Sequence, residues 1–124
     1  MSSDTPTLDG VVLLSEELPT FAGASLNVRI EDVSEADAPA IVVAQQTVPS
    51  VSHQQGACDA IRFALGPLAS FDREAAYVIR AHVALAGGSE IRSPQPGDFI
   101  TMESYPVLTL GHPNWIAVRV REVR

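Results

Sequence analysis

Cys58 and the three histidines His53, His82 and His112 are the side chains best suited to covalent or metal chemistry, so their spacing is the first thing to weigh. Nucleophilic catalysis needs an activated Ser or Cys beside a base that a third group orients. No Gly-x-Ser-x-Gly turn is present, and Cys58 lies among small residues in a strand-like stretch, which predicts a packed thiol. A structural zinc site brings paired ligands at short spacing, whereas His53 and Cys58 are five apart with no second pair. His82 falls on the outward side of an alternating segment and predicts a solvated imidazole. His112 precedes Pro113 in a Gly-His-Pro-Asn turn, a loop position. The expectation is no catalytic residue, no metal and no cofactor.

Two further patterns reach the same end. Glu31, Asp32, Glu35 and Asp37 supply the oxygens that calcium prefers, but they lack the twelve-residue loop spacing and its turn glycine. A solvated turn is the simpler reading, with Asp32, Ser34 and Asp37 bonding nearby backbone amides ahead of Pro39. Gly87-Gly88 and the Pro94 to Gly97 run precede no helix whose N-terminus could hold a phosphate.

What remains is recognition chemistry. Trp115 shares parity with Arg119 and Arg121, hence one face of a strand, and with Tyr105 these form the candidate partner-binding set. The competing role for Trp115 is to start its strand and plug an open end of the fold, since Trp is usually well buried.

The elements that must position these residues have period two. Leu26, Val28 and Ile30 alternate with Asn27, Arg29 and Glu31, and the same pattern recurs over 61–65, 77–85 and 116–121. Weaker strands are expected at 8–14, 41–48 and 99–110, the last at an edge or bulged near Tyr105-Pro106, because proline cannot donate to a ladder. The one helical signal, 67–73, is a single turn long. No segment could serve as a crossover helix. The prediction is therefore an all-β antiparallel sandwich of about seven to eight strands, immunoglobulin-like or transthyretin-like, with a small closed barrel as the alternative. Residues 1–7 read as a loose tail and 8–124 as one domain. The connections at 50–56 and 86–98 stand out by length.

Charge excludes two partner classes. The 124 residues carry 15 acids and eight arginines, with no lysine, for a formal net charge of −7. Eight of the acids lie in 1–40 against Arg29 alone. Such a chain gains no counterion-release free energy on nucleic acid and is repelled by anionic membranes, and no apolar run approaches the ~20 residues that span a bilayer. The opening Met1-Ser-Ser-Asp-Thr-Pro-Thr7 does not read as a secretory signal. The expected location is cytoplasmic as written, and periplasmic or outer-membrane associated where a leader has been removed.

Certain blocks also look familiar. Leu18-Pro19, residues 24–34, Ala36-Asp37-Ala38-Pro39 and Ala44-Gln45-Gln46 resemble the opening strands of the YbaY-like lipoprotein family, also described as the type III secretion lipoprotein chaperone or pilotin family. Phe71-Asp72-Arg73 before 77–81, and Tyr105-Pro106-Val107-Leu108-Thr109 followed by Gly111-His112-Pro113, resemble its later segments in the expected order. The resemblance implies an all-β sandwich, usually lipid-anchored on the periplasmic side of the outer membrane, some members of which escort a secretin subunit. It transfers no catalytic residue. This chain departs from the pattern in lacking a lipobox cysteine.

Two functions follow as expectations. The first is a non-catalytic protein-binding or escort module that takes a peptide by strand addition or a helix on an exposed face. The alternative is a small-ligand or carbohydrate-binding domain with Trp115, Tyr77, Tyr105 and the 86–98 loop at one end of the sandwich. An enzyme ranks third. Oligomeric state stays open.

Overall fold

The computed structural model of the protein describes residues 6–85 and 93–124. The alternating segments become nine strands among the described residues: β1 (Leu8–Leu14), β2 (Phe21–Asp32), β3 (Ile41–His53), β4 (Asp59–Leu65), β5 (Tyr77–Ala84), β6 (Phe99–Ile100), β7 (Pro106–Val107), β8 (Trp115–Arg119) and β9 (Arg121–Glu122). They form two sheets. One has the order β4-β1-β8; the other runs β3-β2-β5-β6-β9, with β7 also on β5. Most pairs are antiparallel, but β1 and β8 run parallel, which departs from the all-antiparallel expectation. A parallel pair needs a long connection, and here the whole intervening chain through the second sheet provides it.

The core lies between the layers. Leu8, Val12 and Leu14 from β1, Phe63 and Leu65 from β4 and Val118 from β8 meet Leu26, Val28 and Ile30 from β2 and Ile79, Ala81 and Val83 from β5. Each is nearly or fully buried, a contribution of about 1.5–3 kcal/mol for a large side chain. Phe21 and Phe99 close one part of this core with ring centroids 5.3 Å apart.

Several sequence expectations need correction. β3 runs past Val48 to His53, because an edge strand tolerates Pro49 and because Ser50 takes a left-handed φ of 58° while β2 carries register shifts opposite. His53 thus belongs to a strand and not to a 50–56 loop. The segment 67–73 forms no helix. The expected strand at 99–110 yields only two two-residue pieces, and Pro106 sits in β7, which pairs with β5 alone. The last segment is split at buried Val120: β8 pairs with β1 in one sheet, and β9 with β6 in the other. Residues 86–92 of the long connection lie outside the described residues, and its remainder, 93–98, folds back on the ends of β5 and β9, Asp98 accepting the Leu85 amide and Gly97 donating to the Val123 carbonyl.

Gly10 sits at the centre of the three-stranded sheet, opposite Phe63 on one side and Ile116 on the other. A Cβ there would overlap the Ile116 carbonyl oxygen and stand 2.7 Å from Phe63 Cζ. Gly10→Ala is expected to cost about 3 kcal/mol by overpacking, measured as a drop in urea-unfolding free energy, while Ala24→Gly leaves the β1 packing intact.

Candidate functional site

The outer face of the three-stranded sheet is built by register. Trp115, Ala117 and Arg119 on β8 stand beside Asp9, Val11 and Leu13 on β1, which stand beside Ala64, Arg62 and Ala60 on β4. Val11, Leu13 and Ala117 are half-buried, and the short alanines expose rather than cover them. The result is a low apolar strip with Trp115, 55% exposed, at one end and Arg62 and Arg119 standing over it. Trp115 therefore does not plug the fold; its side chain faces out.

The strip runs into a groove of about 660 Å³ at the end of the sandwich. Leu14, Leu18 and Val120 are among its apolar walls, and Glu16, Glu17, Arg119, Arg121 and Arg124 rim it. Arg119 and Arg121 meet here, but not as two residues on one strand face: the switch of sheets at Val120 separates them, and Arg121 is exposed with only a 3.5 Å contact to Glu103. Tyr105 is joined to the set from behind, its hydroxyl oxygen accepting the Arg119 amide at 3.1 Å. That bond occupies a backbone donor of β8. Cys58 also lines the groove and is exposed just ahead of β4, contrary to the packed thiol expected from its small neighbours.

Tyr77 does not contribute a wall to a ligand site. It is 3% exposed, stacks on Phe71 at 5.7 Å, and its hydroxyl accepts the Asp72 amide at 3.0 Å.

The outer face of β2 and β5 holds what the sequence pattern does not reveal. His82, expected in solvent, is buried, and its Nε2 donates to Asp98 Oδ2 at 2.9 Å. Asp98 also accepts the Leu85 amide at 3.1 Å and the Gln95 amide at 3.0 Å. Burial alone would raise this carboxyl, but the His82 and amide hydrogen bonds outweigh it and hold the group below the usual carboxylate range. Glu31, expected in a solvated turn, is buried in β2 and takes Arg29 Nε and Arg80 Nε at 2.7 Å each. Of the turn bonds expected here Asp32 makes its own, whereas Ser34 Oγ accepts the amide of distant Ala76. Asp32 Oδ1 accepts the Ser34 hydroxyl at 2.6 Å and its amide at 2.9 Å, which lowers the Asp32 carboxyl, while Asp37 is exposed. His53 donates through Nδ1 to Asp59 at 2.7 Å and so joins the end of β3 to the start of β4. Among the described residues no group of three or more His, Cys, Asp or Glu could hold a metal ion.

Two outcomes test this arrangement. Native protein should react with one equivalent of a thiol reagent without denaturant, read as absorbance; protection until unfolding would return Cys58 to the interior. Asp98→Asn should lower stability by about 2 kcal/mol at pH 7, since hydrogen bonds to a charged group are lost. Because the native carboxyl is depressed, its contribution is complete above the ordinary value near ~3.9 and is lost as pH falls through that value toward the lower native one. The gap between wild type and Asp98→Asn in urea melts should therefore narrow towards pH 3.

Comparison with known proteins places this architecture. No curated protein matches the chain in sequence. Among solved structures, an alternative pilotin from the type II secretion system of Vibrio cholerae superposes with a TM-score of 0.70 over 95% of this chain and 96% of that one, at 24% identity, which is a likeness of fold. The family model of the type III secretion system lipoprotein chaperone (YscW) matches residues 3–120. That family is one of chaperones and not of enzymes, in keeping with a face built of apolar strip, Trp and Arg. From its two-layered fold to the model that spans nearly all of its length, the chain belongs to the type III secretion system lipoprotein chaperone (YscW) family.

Proposed function

We propose that this protein is an escort module that docks an apolar segment of a secretion-system subunit on the outer face of its three-stranded sheet and in the groove at that sheet's end. The observation that carries the reading is the low strip of Val11, Leu13 and Ala117 bounded by exposed Trp115 and Arg119. A Trp and an Arg flanking an apolar centre are the residue types that dominate binding energy at protein interfaces. The chaperone family supports a secretion-system client, and the resemblance read in the sequence implies a secretin subunit and the periplasmic side of the outer membrane. An immunoglobulin-like or transthyretin-like connectivity is the finer description of the sandwich we adopt with it.

At the proline-marked edge near Tyr105, docking on the face suits this molecule better than strand addition. The two-residue β7 is too short an edge to template a partner, and Tyr105 already uses the Arg119 amide on β8. An amphipathic helix laid on the strip would bury the alanine-lined surface and leave its own polar side to the rim arginines.

Trp115 is the single tryptophan, so its emission reports on the face directly. Titration with apolar segments of the secretin subunit from the same cell should shift that emission to the blue. Arg119→Glu should weaken binding at least about tenfold, and Trp115→Ala, followed by calorimetry, by about 2 kcal/mol. Arg73→Glu, in the 66–76 connection, should leave it unchanged. A segment that binds without moving Trp115 emission would place the client elsewhere.

A further inference from the structure

The outer face of β2 and β5 places two arginines directly opposite each other, Arg29 against Arg80, with Asn27 opposite His82 in the adjoining row. Like charges in such a pair destabilise a sheet unless something sits between them. Glu31 does so in part, engaging both guanidiniums through Nε, and among the described residues their terminal amino groups meet no further acceptor. Glu31 is the carboxylate bonded to both guanidiniums, while the other carboxylate nearby, Asp98, is taken up by His82 and two backbone amides.

Asn27, Arg29, Arg80 and His82 line a pocket of about 120 Å³ together with Pro94 and Thr101. That is the volume of about four water molecules in the liquid. Two nearly buried polar side chains of the pocket are incompletely satisfied. Asn27 is 8% exposed, and its Oδ1 is buried with no hydrogen-bond partner among the described residues, while its Nδ2 reaches Gln45 and Thr47 only at 3.4 Å. Thr101 is 6% exposed; its oxygen accepts the Ala81 amide at 3.3 Å, so its hydroxyl proton is left to be donated. His82, donating through Nε2 to Asp98, keeps Nδ1 as an acceptor.

The pocket thus offers donors from Arg29, Arg80 and Thr101, and acceptors from Asn27 and His82. A fully ionised anion answers the donors alone. An oxyanion that still carries a proton answers both, and its O–H has the orphaned Asn27 oxygen to bond. We propose that this pocket binds a hydrogen phosphate group, either as the free anion or as the terminal phosphoryl of a small monoester. The site lies on the sheet opposite the proposed docking face, so the two readings stand or fall separately.

The test is an amide-resolved NMR titration of the full chain with inorganic phosphate at pH 7 and constant ionic strength, with sulfate and glycerol 3-phosphate in parallel. Saturable shifts at Ala81, Ile100 and Thr101 are expected for phosphate, with sulfate at least tenfold weaker because it has no proton to give Asn27. Equal response to glycerol 3-phosphate assigns a monoester end, and response to inorganic phosphate alone assigns the free anion. Asn27→Asp and Arg80→Gln should each weaken phosphate at least tenfold with the amide spectrum otherwise retained. Thr101→Val, close in shape, provides the same readout should either fail to fold. Absence of saturation, equal affinity for sulfate, or folded variants with unchanged affinity would overturn the proposal and leave the arginines as partners of Glu31 only.

Discussion

Three strands converge at Gly10, and the geometry of both layers follows from how tightly they do so. β1 has β4 on one side and β8 on the other, and the Phe63 ring occupies the space that any side chain at position 10 would fill. On the other side β8 pairs in parallel with β1, its Ile116 carbonyl oxygen likewise lying close to Gly10, and that register sets Trp115 beside Asp9 and Arg119 beside Leu13. The inward residues of the same strands, Val12 and Val118, carry the packing against the second sheet. Core and surface are thus two sides of one arrangement, and a change at Gly10 reaches both.

The two sheets have different outer faces for a physical reason. Among the described residues nothing lies over the three-stranded sheet, so small and half-buried apolar residues remain available to a partner. The larger sheet is covered in part by the 93–98 segment, whose Asp98 satisfies His82 and two backbone amides. Burial there raises the cost of every unpaired polar group, and the Arg29, Glu31 and Arg80 network is the response to that cost. At the edge between the sheets, the Gln46 side chain accepts the Ala64 amide of β4 at 3.1 Å, so one exposed edge donor is already occupied.

Strand positions were legible in the sequence wherever one face is buried and the other wet. The alternating stretches within β2, β4 and β8 follow from that pattern, because strict alternation matches the pleat of a strand and no helical repeat, and β5 alternates in sequence although both its faces are largely buried. Legibility failed where burial is two-sided or pairing is local. His82 and Glu31 sit at outward parity and are nonetheless buried, since parity tells which face a residue is on and not what covers that face. The short strands β6, β7 and β9 have too few residues to show any period. The exposure of Cys58 was hidden by its small neighbours, which suit a packed strand and an open turn equally well.

Residue order and composition were enough to establish an all-β chain and its acidic net charge, and to mark Trp115, Arg119, Arg121 and Tyr105 as candidates for recognition. Local periodicity and net charge need no knowledge of distant contacts, which is why those conclusions were within reach. The assembled fold was needed to show that the last segment divides at Val120 between two sheets, so that Arg119 and Arg121 converge on one groove from different layers. The same holds for the gathering of Asn27, Arg29, Arg80 and His82 around one pocket. Both outcomes depend on pairing between residues dozens of positions apart, which is set by packing of the whole core and leaves no mark in any short stretch of chain.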